Sequence, residues 1–436
     1  MSRDSRMLRE RCSRVRSLAL ALALETTAFT VAVTATGAGL LSGCDTNSVG
    51  FLEARRFGDL TSGAAPHTPY RESLVRECGP GRVTGRGAEV FQRYPYLSSA
   101  AQTWAEVRWK TAASEGHTLE LTEPSGNLVA EMAVVAETDL DTTLPIMRRA
   151  RLTDLAPNAV YCYAVRDAGG ELLERTGFRT GAVHGTTGTT EILRFAALGD
   201  LGWRTSDQAA VYHQLAQVPI DAVVLTGDIA YPDGTTDQLD ENFFAIYHEM
   251  LGHVPFVVAS GNHDLRTRDG MPLFGAFGMD YGYFARDVGP VHFVVLDSTN
   301  PSARQTEWLD EDLATNQLPW VVVAMHHPPY SSGHHGNNAE VQQVLEPILR
   351  KYRVPLVLAG HEHNYERTHP IDGVHYVITG GGGRGTRPVG RSWFTALSAQ
   401  VAHFVHFTVI GDVLTMRAID AVGETFDTMV IYRDEI

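Results

Sequence analysis

Five short apolar runs between residues 194 and 359 each lead into a residue type that binds metals. Residues 194–198 (RFAAL) run into Gly199-Asp200-Leu201-Gly202, and 222–226 (AVVLT) into Gly227-Asp228-Ile229-Ala230-Tyr231. Residues 256–260 (FVVAS) precede Gly261-Asn262-His263-Asp264, 320–325 (WVVVAM) precede His326-His327-Pro328-Pro329, and 355–359 (PLVLA) precede Gly360-His361-Glu362-His363. Continuous apolar runs of this length read as strands buried on both faces. Such strands deliver their last side chains to the carboxyl edge of a sheet, where α/β folds gather ligands. Glycine at four of the five exits suits a tight departure from the strand. Two carboxylates, one amide and three or more imidazoles converging there would be costly to bury without a cation. Oxygen and imidazole donors without thiolates favour Fe, Zn, Mn, Co or Ni over a cysteine-based structural zinc.

Between these runs, stretches 207–217, 242–251 and 339–350 carry helical periodicity, so the module from 191 to 436 reads as α/β. It closes with a hairpin, 404–410 and 413–419, turning at Gly411-Asp412. Upstream, residues 88–180 alternate as strands do, with Val107 and Trp109 on one face and turn residues at Leu155-Ala156-Pro157-Asn158. That pattern predicts a small all-β sandwich. It gathers no catalytic residue types, which leaves it a positioning role. Residues 181–190 (GAVHGTTGTT) read as a linker, and 44–87 as a flexible tether.

The blocks GDLG, GDIAY, GNHD, VAMH and GHEH, in that order, resemble the five-block pattern of the calcineurin-like metallophosphoesterases, and within them the purple acid phosphatases. The opening Tyr94-Pro95-Tyr96-Leu97 and the ending Phe178-Arg179-Thr180 of the β module resemble a fibronectin type III-like domain. The resemblance implies an αββα catalytic sandwich preceded by the small β domain. It implies two metal ions, Fe(III) plus a divalent Fe, Zn or Mn. One would take Asp200, Asp228, Tyr231 and His363, the other Asp228, Asn262, His326 and His361, with Asp228 bridging metals about 3.5–4 Å apart. Most metallophosphoesterases place a histidine two residues after the first aspartate, where this chain has Gly202. Tyr231 supplies the missing ligand in the purple enzymes.

The expected activity is that of a phosphoric monoester hydrolase, by in-line displacement with a metal-held hydroxide. His263 would serve as leaving-group acid or oxyanion donor, and Asp264 would orient an imidazole. His335, of the pair His334-His335, would approach substrate, although the spacing is one residue shorter than in the plant enzymes; two exposed loop histidines are the alternative. His327 is given no role, and His292, His375, His403 and His406 read as core or surface residues. Gly380–Gly383 followed by Arg384 is either a sharp loop or a phosphate contact. A phosphodiesterase of nucleotides or lipid headgroups, and a surface metal-binding protein without turnover, are the competing readings.

Composition narrows the rest. Lys+Arg number 36 against Asp+Glu 51, a net charge of −15, which disfavours nucleic-acid binding and leaves a small phosphate ester as the expected partner. The only lysines, Lys110 and Lys351, do not follow glycine, so no Walker-type phosphate loop exists. Neither does a G-x-S-x-G nucleophile elbow. Residues 1–43 open with six arginines and continue in an apolar stretch ending Leu41-Ser42-Gly43-Cys44, which resembles a bacterial lipoprotein signal peptide. Export to the cell envelope and membrane attachment through a lipidated Cys44 are the expectations. In such a compartment Cys78 and Cys162 either pair or Cys162 is a small core residue.

Overall fold

The computed structural model describes residues 74, 76–79, 83–112, 115–134, 136–137, 146–182 and 192–436. The leader 1–43, Cys44, most of the segment to 82 and most of the 181–190 linker lie outside the described residues. Among the described residues, no helix is long and apolar enough to cross a membrane.

The N-terminal module is built of β1 (Phe91–Ala100), β2 (Ala105–Thr111), β3 (His117–Thr122), β4 (Leu128–Val134), β5 (Ala136–Glu137), β6 (Ile146–Leu152), β7 (Val160–Asp167) and β8 (Leu172–Arg179). They form two antiparallel four-stranded sheets, ordered β1-β2-β6-β5 and β4-β3-β7-β8. Their inner faces meet over Leu97, Val107, Trp109, Leu119, Leu121, Tyr163 and Phe178. The opposite face of β2 is also buried, which the alternating pattern did not foretell: Arg108 and Lys110 dock against the second module, and Glu106 pairs with Arg108 beside them. The end of the segment expected to be a loose tether is fixed onto this module. Cys78 is disulfide-bonded to Cys162, Leu74 is buried, and a short helix, Gly85–Val90, is capped by the Thr84 hydroxyl accepting from Gly87 N. The covalent bond to a core strand, Cys162 in β7, explains why a sequence without periodicity is nevertheless held.

The second module is a two-sheet sandwich. Its first sheet is ordered β11-β10-β9-β19-β20-β21, from β9 (Ile192–Leu198), β10 (Ala222–Thr226), β11 (Phe256–Ala259), β19 (His403–Ile410), β20 (Val413–Asp420) and β21 (Thr425–Tyr432). The second is ordered β12-β13-β14-β15-β17-β16-β18. It comprises β12 (Phe284–Val288), β13 (Val291–Val295), β14 (Trp320–Ala324), β15 (Leu356–Ala359), β16 (Tyr365–Thr368), β17 (His375–Thr379) and β18 (Thr395–Ala399). Strand β9 shows why apolar runs suit its position. Leu193, Phe195 and Ala197 face the other sheet, where the Phe195 ring lies 5.1 Å from that of Phe293. Ala196 and Leu198 face an outer helical layer. Helices Ser206–Leu215, Ala245–Leu251 and Met271–Phe277 cover one sheet, and Ala303–Thr315, Ala339–Val344 and Glu346–Lys351 the other, giving the αββα layering. Strands β9, β10 and β11 pair in parallel, as do β13, β14, β15 and β17. The five block-ending exits therefore open on one side of the sandwich.

The helical stretch 339–350 is divided at Leu345, because Pro347 in the first turn of the second helix has no N–H for the preceding turn. The stretch 242–251 is preceded by a π-turn, Asp240–Phe244, that runs straight into Ala245–Leu251.

Candidate metal centre

Each exit turns sharply enough to aim its side chain back across the sheet edge. Asp200, Asp228 and His361 adopt left-handed backbone, with φ of 55°, 53° and 68°, a conformation that costs energy in non-glycine residues and clusters at functional sites. Before Asp228 stands Gly227 at φ 90°, where a Cβ would strike His326 Nδ1 and the Gly261 backbone. Only a glycine lets the 227, 261 and 326 exits close on one another.

The seven expected ligands converge in two groups. Tyr231 Oη donates to Asp200 Oδ1 at 3.0 Å and lies 3.3 Å from His363 Nε2, which is also 3.3 Å from Asp200 Oδ1. His326 Nε2 lies 3.1 Å from Asn262 Oδ1 and 3.5 Å from Asp228 Oδ2. The rings of His326 and His361 are 5.1 Å apart. Ligand atoms of Asp200, Asp228 and His326 lie within 4.8 Å of one another, so the groups adjoin at Asp228. His326 Nδ1 donates to Thr226 O at 2.8 Å, which turns Nε2 inward, the orientation a metal ligand needs.

The electrostatics have one direction. Burial opposes ionisation of Asp228, but His326 and the His263 amide outweigh it and hold the carboxyl well below its usual range. His326 is driven up despite its burial, by the same Asp228. Burial, then the neighbouring imidazoles, push His361 down to about 2 and His327 to about 3, so both are neutral imidazoles. The Tyr231 phenol is pushed far up by burial, then by Asp200 and Asp228. Acids crowded about a buried phenol want a cation.

Residues 193–365 match the calcineurin-like phosphoesterase family. Over 220 residues, 44% of this chain, the sequence is 32% identical to purple acid phosphatase 21 of Arabidopsis thaliana, covering 50% of that protein. It is 27% identical over 296 residues to purple acid phosphatase 15 of the same plant, covering 56% of this chain and 55% of that one. The chain thus spans about half the length of the relatives it matches. The fold is similar to that of a purple acid phosphatase from yellow lupin (Lupinus luteus) seeds, with TM-score 0.69 at 20% identity, over 78% of this chain and 74% of the other. Sequence and fold thus both resemble the metallophosphoesterases, and among them the purple acid phosphatases.

A phosphoesterase of this kind implies a dinuclear metal centre, and the donor set fits one. Its carboxylates, phenol and imidazoles are buried or half-buried and lie mutually close. Gly202 closes the position where related enzymes have a histidine: a Cβ there would overlap the Ile229 carbonyl, so the 199–202 turn packs directly on the 229–231 turn that carries Tyr231.

Around the ligands, His263 Nδ1 donates to Pro232 O at 2.6 Å, and its Nε2 lies 3.9 Å from Asp228 Oδ2. The His335 ring packs 4.2 Å from that of His361, with Nδ1 3.2 Å from Glu362 Oε1, so His335 lies beside a candidate ligand despite the shorter spacing. Asp264 needs a correction. It orients no imidazole, because both its oxygens are occupied by main-chain donors: Oδ1 accepts from Ile229 N and Ala230 N, Oδ2 from Gly261 N. It is a positioning residue that ties the 228 turn to the 262 turn. His327, read as having no role, packs 4.4 Å from the His361 ring, and its ligand atom lies within 4.8 Å of those of His326 and His361. Glu362 also escaped notice; fully buried, it accepts from the amides of His334 and His335 and shapes the loop that presents them. A carboxylate flanked by two ligand histidines in GHEH was the available signal.

Proposed function

We propose that the protein hydrolyses phosphate monoesters in a dinuclear-metal-dependent reaction. The observation that carries this reading is the two donor groups, Asp200–Tyr231–His363 and Asn262–His326–Asp228, adjoining at the buried Asp228. Bound metals would supply Lewis-acid activation of water and of the phosphoryl oxygens. Fe(III) suits the oxygen-rich Tyr231 group, with a divalent Fe, Zn or Mn in the other.

The chain's own residues orient and exchange protons. With Nδ1–H committed to Pro232, His263 can donate from Nε2 only as an imidazolium, which suits a leaving-group acid or an oxyanion donor beside Asp228. His335, with Nδ1 held by Glu362, offers Nε2 on the opposite flank. Neither His263 nor His335 is fully buried, so both are open to an entering ester. The all-β module, fibronectin type III-like in its sequence, holds the catalytic module in place. Export by the 1–43 leader and anchoring by a lipidated Cys44 belong to the same proposal; the Cys78–Cys162 bond suits an oxidising compartment, and a Cys44→Ala protein should leave the membrane fraction.

The test of the activity compares p-nitrophenyl phosphate with its bis-ester, on protein reconstituted with iron plus zinc or manganese. Monoester preference, with turnover reduced at least 10³-fold in Asp228→Asn, is expected. Preference for the diester would move the function to a phosphodiesterase, and turnover unchanged in the variant would overturn the site.

A further inference from the structure

Beside the metal centre lies a cleft of about 710 Å³, lined by His334, His335 and Arg387 with residues 332–333 and 388–390. One wall is the His335 loop, which touches His361; the other follows from the tetraglycine turn, tied to the centre by Arg384 N to Asp200 O and Arg387 N to His363 O, both 2.7 Å. The two walls are joined by Gly390 N to Ser332 O at 3.0 Å. No acidic residue lines the cleft. Glu362, behind the His335 loop, is occupied by the amides of His334 and His335 and by His335 Nδ1.

The arginines of this loop are short of partners. Arg387 Nη1 and Arg384 Nε are buried without a hydrogen bond, and neither guanidinium meets a carboxylate among the described residues. Arg384 is stacked instead, its Cζ 4.0 Å from the Trp203 ring and 5.1 Å from that of Tyr231. Buried unpaired guanidinium nitrogens are costly, and in a chain of net charge −15 carboxylates to pair them are plentiful. A planar fork left open beside a phosphoryl-binding centre matches a carboxylate or a second phosphate.

We propose that this cleft is a second anion subsite, with Arg387 its principal contact, which selects phosphate monoesters carrying a further anionic group. The inference rests on the phosphatase reading for its substrate but not for its binding chemistry, and the experiment separates the two. On the metal-loaded full chain, calorimetry would compare butylphosphonate with 4-phosphonobutyrate, non-hydrolysable ligands that differ by one carboxylate. Turnover would be compared for glycerol 2-phosphate and 2-phosphoglycerate, in which a carboxylate replaces a hydroxymethyl group.

The wild type should prefer the second member of each pair roughly tenfold or more, the range of a charge-assisted hydrogen bond. Arg387→Gln should erase most of that preference, seen in KM more than kcat, and Arg387→Lys should keep part of it as a point charge. Equal affinity of the wild type for the two phosphonates overturns the subsite whatever the variants do. So does an undiminished preference in a folded Arg387→Gln protein. Selective phosphonate binding without turnover of either ester would sustain the subsite and sink the phosphatase reading; turnover of both esters at equal efficiency, with equal binding, would do the reverse.

Discussion

Tyr231 carries the most specific chemistry in the site. Its hydroxyl is buried between Asp200 and His363, where burial and two carboxylates keep it protonated unless a strongly acidic cation is present. Iron loading should therefore produce a visible tyrosinate-to-iron band in the wild type that is missing in Tyr231→Phe; a band of equal strength in the variant would remove Tyr231 from the ligand set. Gly202 supports the same assignment from the other side. Gly202→Ala, which drives a methyl group into the Ile229 carbonyl, should cost roughly 1–3 kcal/mol of stability and reduce bound iron, measured by thermal unfolding and metal analysis. Unchanged iron content in a Gly202→Ala protein would show that the turn tolerates a histidine-like position after all. Asp200, Asp228, Asn262, His326 and His361 stood out as candidate ligands in the sequence because each follows an apolar run closely, whereas Tyr231 was implied only by the family resemblance. His327 and Arg387 did not stand out, for a physical reason: their roles depend on which way a loop turns after the strand ends, and no periodicity encodes that.

At the scale of elements, apolar runs declared themselves and short strands with polar residues did not. Strands β9, β10, β11, β14 and β15 are buried on both faces and read plainly; β16 and β18, with polar residues among them, and the final β21 went unnamed. The hairpin of β12 and β13 shows what such a reading omits. His292, taken for a core or surface residue, bonds Asp287 across the hairpin at 2.6 Å and Asp312 on helix Ala303–Thr315 at 2.8 Å. Burial alone would lower its pKa, but the two carboxylates outweigh burial and raise it to about 9. A folded pKa above the unfolded value of about 6.5 makes this clip fully stabilising below pH 6.5, and its contribution is lost as pH rises through 9. On the order of 2–3 kcal/mol is at stake. The wild-type melting temperature should accordingly fall between pH 6.5 and 9 by more than that of His292→Gln; parallel profiles for the two proteins would show that the clip carries no charge.

Across the whole molecule, the two modules were legible as separate textures, but their union was not, because charged residues on a strand read as solvent-facing. Arg93 and Lys110 are both buried and both bind Asp240, Arg93 Nε at 2.6 Å and Lys110 Nζ at 2.7 Å. Arg93 also lies 3.8 Å over the Phe244 ring. Asp240 opens the π-turn whose Asn242 donates to the Tyr231 carbonyl at 3.1 Å. A continuous line of contacts thus runs from the β module to Tyr231, a candidate metal ligand, and this gives the positioning role a physical route. Asp240→Asn removes the charge while keeping the shape and leaves two buried cations without an anion. Breaking a buried pair in this way costs about 3–5 kcal/mol. The exposed neighbour Glu241, paired with Arg204 on the surface, provides the comparison: Glu241→Gln should change stability by less than about 1 kcal/mol. Asp240→Asn should lower the unfolding midpoint clearly and should also weaken iron retention at temperatures where the fold persists, since Tyr231 loses its support. Equal, small effects of the two variants on midpoint and iron retention would show that the modules merely touch, and that the β module does not help to hold the centre.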